Sequence, residues 1–269
     1  MPYVVSNGIR YYYEERGQGA PLLLIMGLGS EGSVWEEHVR AWEPHYRCIL
    51  VDNRGTGRSD APPGPYTTRM MADDAAGLLT AIGIDQAHIV GISMGGAIAQ
   101  ELALGHPDLV RSLVLVSTWP RCDPYAATVF EMFSAVRAAC TPAEFTRMVQ
   151  LWIYAPPFYQ DADRVAELVE KQRAVPERPV TQQAYAAQCE ACITHDTRDR
   201  LGRIQAPTLI TVGELDIFTP LAFSRAIHER VVGSEMVIFP GCGHVHHWED
   251  LTRFNQTVLA FLQRQSARR

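Results

Sequence analysis

Ser93 sits in Gly91-Ile92-Ser93-Met94-Gly95, a G-x-S-x-G pattern, with Gly96 directly after it. Glycine inside a strand or helix costs stability, so three glycines around one hydroxyl need a reason. The stretch "AHIVGI" before the serine reads as a buried strand and "MGGAIAQELALGH" after it as a helix. A sharp turn between two such elements strains the serine backbone and exposes its hydroxyl, while the glycines let strand and helix approach without Cβ clashes. The helix start also brings backbone N–H groups and the positive end of its dipole to the serine. The chemistry this suggests is nucleophilic. A serine hydroxyl is a weak nucleophile at neutral pH, so an imidazole must take its proton during attack and return it to the leaving group. A carboxylate on the other ring nitrogen then fixes the tautomer and stabilises the imidazolium.

The elements that must position such a group recur along the chain. β-rich apolar runs occupy 3–6, 9–14, 21–27, 47–52, 87–92, 111–117, 207–213 and 235–241. From the third onward they are short and continuously apolar, as in strands buried on both faces. Helix-like segments separate most of them. "TTRMMADDAAGLLTAIG" spaces Met71, Ala75, Leu78, Leu79 and Ile82 near helical period, and "TPLAFSRAIHERV" offers Thr219 as N-cap with Pro220 at the first helical position. Strand alternating with helix predicts an α/β fold, a mostly parallel eight-stranded sheet with helices on both faces.

One interval breaks the rhythm: about ninety residues separate the strand ending near Ser117 from the one at Pro207. This predicts a helical cap over 120–202, inserted into a core of 1–119 and 203–269. Within it Thr141 to Glu144 spells a capping box, and "APPF" and "VPERP" mark turns. The insertion is rich in aromatics, including Phe130, Phe133, Phe145, Trp152, Tyr154, Phe158 and Tyr185; most should form its own core, and a few should line an apolar substrate pocket.

Composition narrows the function classes. The chain has 269 residues and a formal net charge of −6, with a pI near 5.8, which argues against a phosphate-neutralising nucleic-acid surface. The N-terminal stretch lacks the pattern of an export signal, and no apolar run is long enough to span a bilayer, so a soluble cytoplasmic protein is expected. The six cysteines then read as reduced thiols. Cys189 and Cys192 form a C-x-x-C inside an alanine-rich helical stretch, without the strand-turn-helix context of a redox pair, so they read as small buried thiols. "DNRGTGRSD" (52–60) is glycine-rich but lacks the P-loop lysine, and reads as a structural turn built on Arg54.

With these motifs the chain resembles the α/β-hydrolase fold over almost its whole length, in the branch of serine esterases and enol-lactonases. The family orders its triad as serine, acid, histidine, the last two after late strands. The resemblance assigns the acid to Asp216, in a G-x-x-D-x-x-x-P setting from Gly213 to Pro220, and the base to His244 in its Gly-His turn. Asp123 is a second acid position in this fold. His246 and His247 read as pocket-rim or surface groups rather than metal ligands, and neither metal nor cofactor is expected. The resemblance places the oxyanion hole at the backbone N–H groups of Leu28 and Met94. Two departures stand out. Met26 replaces the histidine that commonly precedes the first glycine of that loop, removing a side chain that orders it. "HWEDL" keeps Glu249 five residues after His244 but lacks a proline often found after it. The loop 52–60 resembles the family's D-x-R-G-x-G-x-S.

The resemblance implies acyl transfer to water. Serine at the elbow argues against the dehalogenase and epoxide-hydrolase branches, which use aspartate, and against cysteine-using lactone hydrolases. The expected activity is hydrolysis of carboxylic esters of small to medium acyl chain, with a small-molecule ester or lactone as substrate. Enol-lactone or C–C bond hydrolysis uses the same triad; Ile92 stands where C–C hydrolases more often have asparagine. A small-molecule receptor on the same fold is the competing class.

Overall fold

A computed structural model describes residues 3–173 and 180–267. The strands are β1 (Tyr3–Ser6), β2 (Ile9–Arg16), β3 (Ala20–Ile25), β4 (Tyr46–Val51), β5 (Ala87–Ile92), β6 (Val110–Val116), β7 (Thr208–Gly213) and β8 (Glu235–Phe239). They form one eight-stranded sheet in the order β1-β2-β4-β3-β5-β6-β7-β8. The pairings β1–β2 and β2–β4 are antiparallel and the rest parallel. The helices are α1 (Glu36–Trp42), α2 (Thr68–Ala81), α3 (Met94–Gly105), α4 (Pro124–Ala139), α5 (Pro142–Ile153), α6 (Ala162–Arg173), α7 (Gln182–Ile193), α8 (Leu221–His228), α9 (His246–Glu249) and α10 (Leu251–Ser266).

The continuous apolar strands split by alternation into two cores, because successive side chains of a strand point to opposite faces. Leu23, Ile25, Ile49, Val51, Ile89 and Leu113 pack with Met71, Ala75, Leu78 and Leu79 of α2 and with Ile98 and Leu102 of α3. Leu22, Leu24, Leu50, Val90, Ile92 and Val114 pack on the other face with Trp42 of α1 and with Phe254, Val258 and Phe261 of α10. β5 and β7 are buried along their whole length. Each large apolar side chain so buried contributes roughly 1.5–3 kcal/mol relative to exposure, and a charged replacement at Leu24 would break both the face and the strand.

Among the described residues the α-helices α4 to α7 lie between β6 and β7, where the sequence breaks its rhythm. The capping box at Thr141 and Glu144 forms as the spacing predicts. "VPERP" (175–179) lies outside the described residues. Asp123 accepts from the N–H of Ala126 and starts α4, with Pro124 in its first turn; its carboxylate is an N-cap. Among the described residues no helix is long and apolar enough to cross a membrane.

One local expectation fails. Thr219 does not cap α8, whose N-cap is Pro220 and which has no side-chain cap. Its hydroxyl turns instead to Asp216, three residues earlier, donating to a buried carboxylate that needs the bond, while the first N–H groups of a helix end within reach of water can be satisfied by solvent.

Candidate active site

The turn around Ser93 follows from the glycines. Ser93 has φ 55° and ψ −120°, a region that costs a non-glycine residue about 1–3 kcal/mol and persists only where packing enforces it. A Cβ on Gly91 would collide with the backbone carbonyl of Gly95, and one on Gly95 with the carbonyl of Ile25. Gly96 faces Thr118, which a Cβ would meet at 2.6 Å. β5, α3 and β3 are therefore closer than any side chain permits. Ser93 N donates to Val116 O at 2.9 Å, and Ser93 O accepts from Gly96 N and from the Thr118 hydroxyl. The strained residue is thus tied to β6 on one side and to α3 on the other.

Asp216 and His244 come together after β7 and β8. His244 Nδ1 lies 2.9 Å from Asp216 Oδ2, and both residues are buried. Asp216 Oδ1 accepts from the N–H groups of Phe218 and Thr219, at 2.9 and 2.8 Å, and Oδ2 accepts from the Thr219 hydroxyl at 2.8 Å. This carboxylate is an acceptor on every side, so Nδ1 of His244 carries the proton and Nε2 is left with a lone pair. Thr219 Oγ1 also lies 3.0 Å from Nδ1. The ring of Phe218 stands edge-on to His244 with centroids 4.8 Å apart.

His246 is the second correction to the sequence reading, for it is wholly buried and not a rim or surface group. Its Nδ1 lies 3.2 Å from Ser117 Oγ and its Nε2 3.0 Å from Thr211 Oγ1. Ser117 donates its single hydroxyl proton to the backbone oxygen of His244 at 2.8 Å, so it accepts from His246 Nδ1–H, and Nε2 accepts from Thr211. Burial pushes the His246 pKa down to about 3, in keeping with this neutral tautomer. The chain Thr211–His246–Ser117 supports the His244 turn from beneath. His247 is buried too, packed against the rings of Trp35 and His38, although it does reach the cavity wall.

Ser93 and His244 line one cavity of about 690 Å³ together with Met26, Gly27 and Leu28. The loop after β3 runs directly over the serine: a Cβ on Gly27 would meet Ser93 Cβ at 3.2 Å. Leu28, the next residue of that loop, lines the same cavity, and Met94, the first residue of α3, directly follows the serine; the first N–H groups of a helix have no partner within it. Phe133, Val149, Ile153, Phe158, Leu168 and Tyr185 from the insertion add an apolar wall. Phe130 and Phe145 do not line the cavity; with Phe133 and Tyr185 they pack in the core that continues from the α2–α3 face of the sheet.

Three side chains anchor the loop that carries Met26. Asn53 Nδ2 donates to Met26 O at 2.9 Å, and Asp52 Oδ1 accepts from Gly32 N at 2.8 Å. The third anchor, Gln188 of α7, accepts from Gly29 N at 2.9 Å. Arg54 is occupied by Asp74 in a buried two-pronged ion pair, both bonds 2.8 Å, so the loop 52–60 is the structural turn that its sequence suggests. On the other side Glu249 accepts from Gly243 N and from Ala155 N, linking the histidine turn to the insertion. Cys189 and Cys192 are free and buried, and burial raises the Cys189 thiol to about 12. Sequence reasoning gives Thr219 and His246 other roles and misses Gln188; only Thr219, three residues from an aspartate in a turn, carries a local signal.

Comparison with known proteins agrees with this architecture. Residues 20–251 match the model of the alpha/beta hydrolase fold family. The chain is 31% identical over 261 residues to a protein of Azorhizobium caulinodans named "Putative carbamate hydrolase RutD", covering 97% of this chain and 98% of that one. A solved hydrolase from Pseudomonas aeruginosa PA01 superposes with a TM-score of 0.86 at 31% identity, covering 97% of each chain. The enol-lactonase of Burkholderia xenovorans LB400 gives 0.86 at 27% identity, covering 97% of this chain and all of that one.

Proposed function

The chain belongs to the α/β hydrolase fold family, and from that premise we propose that it is a serine hydrolase cleaving neutral carboxylic esters of small to medium acyl chain. The observation that carries this reading is the strained Ser93 sharing a cavity with a His244 whose Nδ1 is committed to Asp216. His244 Nε2 takes the Ser93 proton as Oγ adds to the ester carbonyl. The N–H groups of Leu28 and Met94 receive the oxyanion, a contribution of about 10²–10³ in rate per donor. Nε2 then protonates the departing alcohol, and the acyl-enzyme is opened by water with His244 as base. In this reading residues 120–202 act as a cap that sets which acyl chains fit.

The lining supports an uncharged substrate. Among the described residues the cavity's arginines are Arg40 and Arg164. Arg40 is exposed and lies 3.9 Å from Glu36, and Arg164 donates to the backbone oxygens of Trp248 and Glu249. Arg164 is thus committed to the protein's own backbone and Arg40 stands beside the carboxylate of Glu36, which gives little support to carboxylate-bearing ring-cleavage products. Carbamate hydrolysis is the second reading, favoured by the names of the RutD relatives. It uses the same acyl chemistry, but a cavity of about 690 Å³ walled by aromatics is far larger than a carbamate ion and falls in the range of drug-sized ligands.

The test is a series of p-nitrophenyl esters of increasing acyl length, with carbamate in parallel, on wild type and Ser93→Ala. The expected result is turnover of medium acyl esters that Ser93→Ala lowers about 10³-fold or more. Equal rates for the two proteins would refute the reading. Tight binding without turnover, seen as a ligand-dependent rise in Tm, would favour a receptor.

A further inference from the structure

The cap-side helix α7 does more than close the cavity. It presses two residues, one helical turn apart, onto Gly29. The Tyr185 ring edge lies where a Cβ on Gly29 would come within 2.9 Å, and Gln188 Oε1 accepts from Gly29 N at 2.9 Å. Gly29 itself has φ +70°, a left-handed conformation that its neighbours must hold. The amide of Gln188 is fully used. Its Nε2 donates to Arg54 O and to Thr56 Oγ1, both at 2.7 Å, and Gln188 has no solvent exposure. A buried amide bonded at both ends costs free energy if any contact shifts, so it fixes the distance between the loop 52–60 and Gly29. Leu28, adjacent to Gly29, is where the reading above places an oxyanion donor.

We propose that Gln188 is a positioning residue for the oxyanion hole: it holds the 27–30 loop so that Leu28 N–H points at the developing oxyanion, replacing from the insertion the loop-ordering side chain that Met26 lacks. This rests on the serine-hydrolase reading. Because Tyr185 of the same helix lines the cavity, filling of the acyl pocket and geometry of the hole share one rigid element. Donors must sit 2.7–3.1 Å from the oxyanion position, so a small drift of the loop weakens the transition state without weakening the ground state.

Two ligands separate these effects. A trifluoromethyl ketone of medium chain length accepts Ser93 Oγ at its carbonyl carbon, the serine proton passing to His244, and its oxygen becomes an anion in the hole. The matching methyl ketone fills the cavity without that addition. Gln188→Met, close to isosteric, is expected to lower kcat about 10- to 100-fold with KM little changed, and to weaken the trifluoromethyl ketone by a similar factor while methyl ketone affinity is retained. Gln188→Glu keeps an acceptor for Gly29 N but gives up the amide N–H donors to Arg54 O and Thr56 Oγ1, and is expected to restore only part of the trifluoromethyl ketone affinity. Gln188→Asn keeps an amide too short to span the gap; it is expected to behave like Gln188→Met, and carries the test if Gln188→Met does not fold. Equal weakening of both ketones, or of neither, would overturn the proposal. Failure of wild type to bind the trifluoromethyl ketone more tightly than the methyl ketone would instead refute the serine-hydrolase reading.

Discussion

The two sides of the cavity are held in place by different means. The acid–base side is assembled from the ends of β6, β7 and β8: Ser117, Thr211, Asp216, Thr219, His244 and His246 form one connected set of hydrogen bonds. The oxyanion side is a loop with no such set of its own. It is braced by Asn53 and Asp52 from the neighbouring turn and by Gln188 from a helix 159 residues away in sequence. On the proposed reading, core strands fix proton transfer, while the insertion has a hand in stabilising the charge that develops.

The largest effect expected from separating the two sides is on the acid–base side. Asp216→Asn leaves the shape intact but offers His244 Nδ1 an amide in place of a carboxylate, and should lower kcat about 10⁴-fold. Steady-state kinetics on the best p-nitrophenyl ester checks this. The Gln188 substitutions should cost less, because two other anchors still hold the loop. Should Gln188→Met cost as much as Asp216→Asn, the oxyanion side would depend on the insertion far more than this comparison allows.

The smallest effect concerns stability in mild acid. Burial holds the pKa of His246 and His195 near 3 and of His38 and His88 near 4, against an ordinary value of 6.5. Between those values the unfolded chain binds more protons than the folded one. Stability is then complete above about pH 6.5 and is lost progressively as pH falls towards 3–4. The urea midpoint should drop between pH 7 and 4.5 with an unchanged slope, and His246→Gln should show a shallower drop. A midpoint independent of pH over that range would mean that these imidazoles do not stay neutral in the fold.

The difference between the sides also explains what the sequence reveals. Strand positions were legible because buried parallel strands are continuous apolar runs; 87–92 is read to the residue. The glycines around Ser93 were legible because only a forced close approach makes them worth their cost. His246 was misread, since a histidine beside His244 looks polar, and only the tertiary fold offers it Ser117 and Thr211. Thr219 before a proline carries two competing signals, an N-cap and a turn closing on Asp216, and burial decides between them. Nothing marks Gln188 among the alanines of α7, since its partners belong to segments more than 130 residues away. Of the insertion's aromatics, helical spacing alone does not tell Phe133 and Tyr185, at the cavity wall, from Phe130 and Phe145, in the core.

The central claim is that Ser93 is the nucleophile, and mass spectrometry after treatment with a p-nitrophenyl alkylphosphonate tests it most directly. Ser93 Oγ should displace p-nitrophenolate from phosphorus, leaving one phosphonyl group on the peptide that contains Ser93. Ser93→Ala should remain unlabelled. A wild-type protein that hydrolyses esters yet takes up no label, or carries it on another residue, would contradict the account.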